Sequence, residues 1–291
     1  MPTRDRHSPT LILTADDFGA SPQVNGAILR AHREGVLTAA SLIVPAPAAE
    51  EAVALARACP SLRVGLHLTL VDGCCALAPA RLPGIVDPRG RFPASPLAAG
   101  LRYGLRPGIR GQLAAEICAQ FDGFAATGLP LDHVTGHHHL HMHPILWPLV
   151  MAEAERHAAA GIRVTCEDLR LMMAWDRRNL ALRAAHAAVL VWLARRCRRG
   201  LVGRRLRHVP RVYGVLPGGG LTEAYLLWLV RAMPLSDAEI IFHPGAEKPS
   251  SPEIGDAETQ ALTSPALREA IDERGFKLGG YAAIPLPGTE R

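Results

Sequence analysis

Short apolar runs alternate with amphipathic helical patterns along this chain, and that alternation restricts the fold more than any other sequence feature. The run TLILTA has the composition of a buried strand, and the helical pattern after it has Ser21 as N-cap, Pro22 at the first helical position and Gly35 past its end. ASLIVPA and LRVGLHLTL are further predicted strands, with the helical stretch PAAEEAVALARAC between them. This βαβαβ order predicts an α/β fold with a parallel sheet and crossover helices.

The alternation is interrupted once and then continues. Val71–Gly111 is rich in Pro, Gly and Arg, which predicts a long loop excursion of the kind that often serves binding. The later predicted elements are a helix at Gln112–Thr127, a strand at Leu131–Thr135, a helix at Ile145–Ala160, a strand at Ile162–Cys166, a helix at Glu223–Met233, a strand in AEIIFHPG and a helix at Pro265–Arg274. Repeated βα units in one domain spanning 1–291 favour a TIM-barrel-like (β/α) barrel, although periodicity alone does not exclude an open sheet.

Leu182–Arg207 joins an apolar helical half to a strongly basic half. The arginines of the second half are Arg195, Arg196, Arg198, Arg199, Arg204, Arg205 and Arg207. One interpretation is a core helix with a solvated basic end. The other is an amphipathic helix at a membrane surface, with Val189, Val191 and Trp192 towards lipid and the arginines towards anionic headgroups. Nucleic acid is not an expected partner, because no aromatic residues alternate with the arginines.

The composition is that of an ordinary folded protein, with 48% hydrophobic residues and a net charge of +5. None of the six cysteines lies in a C-x-x-C pair, which favours reduced thiols. No signal-peptide pattern is present at the N-terminus, and no stretch reaches the roughly 18 apolar residues of a spanning helix. We therefore predict a cytoplasmic protein, with peripheral contact at the inner face of the membrane left open. The oligomeric state is also open, a homodimer included.

Polar residues gather at the predicted carboxyl ends of strands, where barrel active sites lie. Asp16 and Asp17 end the first strand, His67 lies near the end of the third, and His243 ends a late strand. DHVTGHHHLHMHP holds six of the 13 histidines, and His137, His138, His139 and His141 follow the fourth strand. One carboxylate with two imidazoles is a sound ligand set for a divalent metal. A second carboxylate can then act as general base and a further histidine as acid.

Each of these residues also has an ordinary structural explanation. An Asp–Asp pair after a strand often forms a turn or caps a helix, His67 alone fits a packed polar residue, and His243 before Pro-Gly fits a turn. Only in combination, at strand ends in a βα pattern, do they favour a metal site. Because consecutive residues at a strand end diverge, we expect one aspartate to bind the metal while the other faces the substrate.

Four stretches of the sequence resemble the YdjC-like carbohydrate deacetylase family. They are TADDFGASPQVNGAILRAHREGVLTAASLIV, VGLHLTLVDG, DHVTGHHHLHMHP and EIIFHPG, which occur in the family's order within Leu11–Gly245. GLHLTLVDG, LAAEICAQFDGFAATGLPLDHV and the apolar, Arg-rich middle before YGVLPGGGLTEAYLL are similar to the hopanoid-biosynthesis-associated branch of that family.

The resemblance implies a (β/α)-barrel-like hydrolase of amide carbon–nitrogen bonds with one divalent cation, Mg²⁺ or Zn²⁺. By match to the family's motifs, Asp17, His67 and His137 would be the metal ligands, Asp16 the catalytic base and His243 a candidate acid. The branch implies an N-acetylglucosaminyl lipid, a hopanoid headgroup, as the substrate. Deacetylation would give the free glucosamine-lipid and acetate.

The sequence departs from the family pattern directly before the histidine triplet. Thr135-Gly136 stand where the family usually has Asp-Ser, which removes a carboxylate expected to support a metal-bound imidazole. The identity of the metal and its affinity therefore depend on what takes the place of that carboxylate.

Three alternatives remain open from the sequence. A deacetylase of soluble chito-oligosaccharides would use the same chemistry without the basic segment, and a metal-dependent hydrolase of another bond, such as a phosphoester, could use the same ligands. A non-enzymatic sugar- or metal-binding protein is the third alternative, but it would have no need of Asp16 beside Asp17. Substrate competition and the identity of the product separate these functions.

Overall fold

The computed structural model describes residues 8–215, 221–245 and 254–286, which form an α/β fold around one parallel sheet. Its strands are β1 Thr10–Phe18, β2 Ala39–Leu42, β3 Arg63–Leu68, β4 His133–Gly136, β5 Gly161–Ile162, β6 Arg211–Tyr213, β7 Ala238–Phe242 and β8 Lys277–Leu278. The sheet order is β5-β4-β3-β2-β1-β7-β6, and β8 pairs with the start of β1. All carboxyl ends of the parallel strands therefore lie on one side, as the βα pattern predicts.

Helices connect the strands and cover the outside of the sheet. They are α1 Pro22–Arg33, α2 Ala49–Arg57, α3 Pro96–Leu105, α4 Arg110–Ala126, α5 Trp147–Arg156, α6 Leu169–Trp175, α7 Leu180–Leu201, α8 Glu223–Ala232, α9 Ile254–Leu262 and α10 Pro265–Glu273. The start of α1 follows the predicted signals, because Ser21 Oγ accepts a hydrogen bond from the Val24 amide and Pro22 is the first helical residue. A short 3-10 helix at His137–Met142 follows β4 directly.

The sheet curves into a half-barrel rather than a closed TIM-type barrel. Within the described residues no strand ladder joins the edge strands β5 and β6. Single hydrogen bonds bridge the gap instead: the Ile162 amide donates to the Arg207 carbonyl (2.8 Å) and the Val212 amide to the Cys166 carbonyl (3.1 Å). The strand predicted at Ile162–Cys166 is observed only as Gly161–Ile162. Isolated hydrogen bonds on its outer side do not extend the strand pairing further along the chain.

The two faces of β1 explain how a carboxylate comes to lie inside the sheet. Leu11, Leu13 and Ala15 belong to the large hydrophobic cluster under the helices. Alternate residues face the opposite way, and there Thr14 Oγ1 donates to Glu239 Oε1 (2.7 Å) on the neighbouring strand β7. Asp16 shares this face by the two-residue period of a strand, and it is 2% exposed.

The predicted loop excursion at Val71–Gly111 contains a helix that the sequence pattern did not reveal. Ser95 Oγ accepts from the Ala98 amide at the start of α3, and Pro96 is its first residue. Ala99 and Tyr103 are buried, and Tyr103 Oη donates to the Leu70 carbonyl (2.8 Å). The frequent Pro and Gly of this segment concealed a helix whose stability comes from this tertiary packing.

Helix α7 forms much of the segment that was predicted from Leu182 to Arg207, but it ends at Leu201. It follows β5 and leads to β6 in a parallel sheet, so its arginine-rich half points towards the amino ends of the strands. Arg207 Nε donates to the Ile284 carbonyl (2.7 Å), and Arg204 Nη1 pairs with Glu155. Val189 and Trp192 are exposed as expected for a contact surface, whereas Val191 packs partly against the core.

All six cysteines are free, in agreement with the prediction of reduced thiols. Among the described helices, none combines the length and the apolar character needed to cross a membrane.

Candidate metal centre

A backbone irregularity at the end of β1 separates the two neighbouring aspartates. The pairing of β1 with β2 shifts register between Ala15 and Phe18, and Asp17 has a positive φ of 64°. A non-glycine residue with such a φ is uncommon and is found more often at functional positions. As a result, the side chain of Asp16 stays inside the half-barrel while that of Asp17 faces β3 and β4, which agrees with the predicted divergence of the pair.

Asp17, His67 and His137 meet at the carboxyl ends of β1, β3 and β4. Asp17 Oδ1 lies 3.5 Å from His67 Nε2 and 3.2 Å from His137 Nδ1. The two imidazole nitrogens lie 3.3 Å apart. These residues come from positions 50 and 70 residues apart in the chain, and the structure brings all three together, as the sequence predicts.

The triangle of ligand atoms fits a small divalent cation. Atoms that each lie about 2.0–2.2 Å from one ion are separated from one another by roughly 3.0–3.5 Å. Asp17 Oδ1 is buried and has no hydrogen-bond partner, although a buried carboxylate oxygen normally has one. A cation held by these three residues would satisfy that oxygen.

The pKa values of the two imidazoles are shifted in opposite directions. Burial lowers the pKa of His67 to about 4, so its ring is neutral at pH 7 and available as a ligand. Burial also disfavours the charged form of His137, but the neighbouring carboxylate of Asp17 outweighs it and raises the pKa of His137.

Thr135 takes over the support of His67 at the position where the family usually has aspartate. Thr135 Oγ1 lies 2.8 Å from His67 Nδ1 and donates to the Leu66 carbonyl at 3.3 Å. Because the hydroxyl proton is used towards Leu66, Oγ1 accepts from Nδ1–H of His67. That hydrogen bond leaves the lone pair of Nε2 facing Asp17 and His137, which is the tautomer that a metal requires.

We expect Thr135→Val to weaken cation binding by about 10- to 100-fold, because losing such a supporting bond releases the orientation of the ligand ring. The measurement is a calorimetric titration of the metal-free protein with zinc. Thr135→Ser keeps the hydroxyl and is the matched control, with affinity near that of the wild type. Equal affinities for the valine and serine variants would contradict this role of the hydroxyl.

Asp16 is held by an arginine that sequence analysis did not identify. Arg163 Nη1 donates to Asp16 Oδ2 (2.6 Å) and Nη2 to Asp16 Oδ1 (3.0 Å). The same guanidinium donates to both carboxylate oxygens of Glu239, at 2.7 and 3.1 Å. Arg163 is 0% exposed, so a buried cation lies between two buried carboxylates. The one available signal was a charged residue inside the predicted apolar strand at Ile162–Cys166.

This pairing keeps Asp16 ionised. Burial alone would raise the pKa of Asp16, but the charge of Arg163 and its hydrogen bonds hold that pKa far below the usual range. Asp16 Oδ1 also lies 3.8 Å from His67 Nδ1, so its charge is next to the metal-ligand triangle. Asp16 is therefore a fixed anion directly behind the site.

His243 lies at the same rim. It follows β7, whose residue Phe242 pairs with Ala15 of β1, so His243 is next to Asp16 across the sheet. Its backbone amide donates to Glu258 Oε2 (2.6 Å), which anchors the turn.

Most histidines of the histidine-rich segment support the site rather than form it. His133 is itself buried, with Nε2 3.0 Å from Ser41 Oγ and Nδ1 3.1 Å from Asp132 Oδ2. His141 Nε2 bonds to the Arg163 carbonyl (2.9 Å), and His139 Nδ1 lies 3.2 Å from Thr165 Oγ1.

His138 and Asp72 form the outer mouth of the centre. Both have a positive φ, of 50° and 45°, and His138 Nε2 lies 4.0 Å from Asp72 Oδ2. Together with His137 they form a second set of side chains whose ligand atoms are close enough to bind one cation. The side chains of His138 and Asp72 are, however, 44% and 48% exposed. The triangle of Asp17, His67 and His137 is less exposed, since the side chains of Asp17 and His137 are each 19% exposed and His67 is buried, so it is the better candidate.

The family described as "YdjC-like protein" matches residues 10–273. The chain is 40% identical over 150 residues to a carbohydrate deacetylase of Brevibacillus brevis and 42% identical over 147 residues to one of Geobacillus stearothermophilus. Each of these alignments covers 50% of this chain and 56% of the relative, so the chain spans little more than half the length of those two proteins.

A longer match extends over nearly the whole chain. A chitooligosaccharide deacetylase of Serratia marcescens is 30% identical over 284 residues, covering 93% of this chain and 97% of the relative. Among solved structures, a candidate cellobiose-phosphate cleavage protein of Enterococcus faecalis V583 aligns with a TM-score of 0.68 at 23% identity, over 94% of this chain and 98% of that one. At this identity the structural match concerns the fold.

Proposed function

This chain belongs to the YdjC-like protein family, and from that premise we propose that it is a metal-dependent N-deacetylase of carbohydrates, a hydrolase of amide bonds. The observation that carries the proposal is the triangle of Asp17, His67 and His137 with the ionised Asp16 behind it. A metal-binding protein without catalytic activity would not need a second buried carboxylate with its own arginine. The deacetylases among the relatives support the choice of an amide bond over a phosphoester.

We assign the cation to Asp17, His67 and His137. When bound there, a divalent cation supplies Lewis-acid polarisation of the acetyl carbonyl and lowers the pKa of a coordinated water. Two imidazoles with one carboxylate favour Zn²⁺ over Mg²⁺, because magnesium prefers oxygen ligands. Elemental analysis of the purified protein identifies the metal, and magnesium in place of zinc would contradict this preference.

The remaining residues have roles in moving protons. Asp16 accepts the proton of the attacking water, and Arg163 keeps that carboxylate ionised and oriented. His243, on the strand next to Asp16, donates a proton to the departing amine. Separate groups for the two proton transfers are what amide hydrolysis requires, because the amine leaves only after it is protonated.

For the substrate, we propose an N-acetylglucosaminyl lipid of the hopanoid type, converted to the glucosamine-lipid and acetate at an anionic membrane surface. The motifs that resemble the hopanoid-associated branch support this choice. A soluble chito-oligosaccharide is the second candidate, and the full-length relative from Serratia marcescens favours it.

Mass spectrometry of two parallel reactions tests the proposal. The purified protein is incubated with zinc and either an N-acetylglucosaminyl hopanoid in detergent or a soluble N-acetylglucosamine oligomer. We expect loss of one acetyl group from the lipid. Loss from the oligomer alone would keep the deacetylase and discard the lipid. No loss from either substrate would refute the proposed reaction.

A further inference from the structure

Helix α3 presents a row of leucines to solvent. Leu97, Leu101 and Leu105 are 73%, 54% and 76% exposed, and they recur at a spacing of four residues along one side of the helix. We call these three residues the leucine face. The opposite side is buried through Ala99 and Tyr103. A surface helix normally exposes polar residues, so a continuous row of exposed leucines indicates a surface that another apolar phase covers.

The leucine face lies at the rim of the candidate metal centre. Tyr103 Oη donates to the Leu70 carbonyl (2.8 Å), two residues beyond β3, the strand that carries His67. Gly100 and Gly104 lie against the ring of His143, where an added Cβ would be 3.7 and 3.8 Å from it. His143 directly follows the 3-10 helix that begins at His137. Whatever covers the leucine face is therefore next to the mouth of the site.

The chain around α3 is basic without any acidic residue. Between Asp87 and Glu116 there are five arginines and neither Asp nor Glu. Of these, Arg106 directly follows α3, Arg110 begins α4, and both are exposed. Exposed leucines flanked by exposed arginines are the pattern of a helix that lies in the interface of an anionic bilayer, with leucines among acyl chains and arginines at the phosphates.

The arginine-rich end of α7 is less suitable for bringing the site to a membrane. It lies towards the amino ends of the strands, on the opposite side of the sheet from Asp17. Two arginines of this region already donate hydrogen bonds within the protein. In α7, Arg198 Nη2 donates to the Pro210 carbonyl (2.7 Å), and beyond its end Arg207 Nε donates to the Ile284 carbonyl (2.7 Å). A bilayer held by that end would face away from the metal centre.

We propose that the leucine face docks on the surface of an anionic phospholipid bilayer and brings the rim of the metal centre to the lipid headgroups. This interaction surface belongs to the excursion at Val71–Gly111 and not to Leu182–Arg207. The purpose of this docking rests on the proposed function, because a sugar attached to a membrane lipid would be presented at that rim. The docking itself requires no turnover.

The test is co-sedimentation of the full chain with vesicles of phosphatidylglycerol and phosphatidylcholine. We expect L97S/L101S/L105S to lower the partition coefficient by about tenfold or more, since each leucine contributes apolar burial. The matched control is Leu235→Ser, which removes a leucine of similar exposure, 56%, from the amino-end side of β7. It should bind as the wild type does. R106Q/R110Q should weaken binding and reduce its dependence on salt.

Two results would overturn the proposal. One is wild-type partition of the triple serine variant. The other is a loss of binding in R195Q/R196Q/R199Q with none in the leucine variant, which would move the contact to α7. Because the leucines are exposed, thermal unfolding of the triple variant should match that of the wild type, which separates lost docking from misfolding.

A second measurement separates this inference from the proposed function. Deacetylation of a soluble N-acetylglucosamine oligomer or detergent-dispersed lipid should be unchanged in L97S/L101S/L105S, while deacetylation of the vesicle-embedded lipid should fall with binding. Vesicle binding through the leucine face without any turnover would discard the reaction and keep the surface. Turnover without vesicle binding would keep the reaction and discard the surface.

Discussion

Asp16→Asn is expected to lower turnover by about 10³-fold while the protein still binds its cation, because a positioned general base contributes roughly 10²–10⁴-fold. Asn is nearly isosteric and can still accept a hydrogen bond from Arg163, but it cannot take a proton from water. Asp16 contacts the imidazole of His67 at 3.8 Å and is not part of the ligand triangle. The measurement is kcat for acetate release together with a zinc titration.

The neighbouring residue provides the control for this experiment. Asp17→Asn removes a carboxylate ligand, so we expect both the zinc affinity and the turnover to fall. The two variants differ by one position in the chain, yet they should give different pairs of results because the bulge at the end of β1 separates their side chains. Wild-type turnover of Asp16→Asn would mean that another group accepts the proton.

Arg163→Met should destabilise the protein by about 3–5 kcal/mol, the usual cost of leaving a buried charge without its partner. The guanidinium of Arg163 is the shared donor of Asp16 and Glu239, and both carboxylates are buried, at 2% and 0% exposure. Urea unfolding at pH 7 measures the loss. Arg156→Met is the matched control, since Arg156 also bridges two carboxylates, Asp122 and Glu153, but at the surface. It should change stability little.

The stability of Arg163→Met should depend on pH differently from the stability of the wild type. In the wild type the pKa of Asp16 is lowered, so its contribution to stability is present above the unfolded-state value of about 4 and is lost as the pH falls below it. Without Arg163, burial raises the pKa of Asp16, and protonation of that carboxylate relieves the destabilisation of the variant. From pH 8 to pH 5 the variant should therefore gain stability relative to the wild type. Parallel profiles would show that Arg163 does not set the ionisation of Asp16.

Much of the fold follows from local sequence signals. The βα alternation predicts the parallel sheet, and Ser21 with Pro22 predicts the start of α1. The elements that differ depend on distant partners. Helix α3 is held by Tyr103 and Leu70, and the strand predicted at Ile162–Cys166 shortens to Gly161–Ile162 because its outer edge meets only isolated hydrogen bonds. The closed barrel that repetition favoured is a half-barrel for the same reason.

The sequence by itself predicted the candidate ligand triangle, because strand ends supplied the candidate residues and the family resemblance selected Asp17, His67 and His137 among them. Asp17, His67 and His137 each end a parallel strand, and parallel strands bring their carboxyl ends together whatever the details of packing. Taken singly, each residue could have been a turn, cap or packed polar residue. Only their shared position at the ends of strands favoured a metal site over these explanations. The role of each residue in binding a cation remains a proposal that the Asp17 and Thr135 variants test.

Only the tertiary structure decided what surrounds the triangle. Arg163 reaches Asp16 across 147 residues, and Thr135 supports His67 across 68, through strand registers that no local pattern specifies. The leucine face likewise became visible only when α3 was seen to bury Ala99 and Tyr103 instead of its leucines. Periodicity predicts which residues end a strand, because it is a property of neighbours in the chain. The partner of a buried charge is a property of neighbours in space.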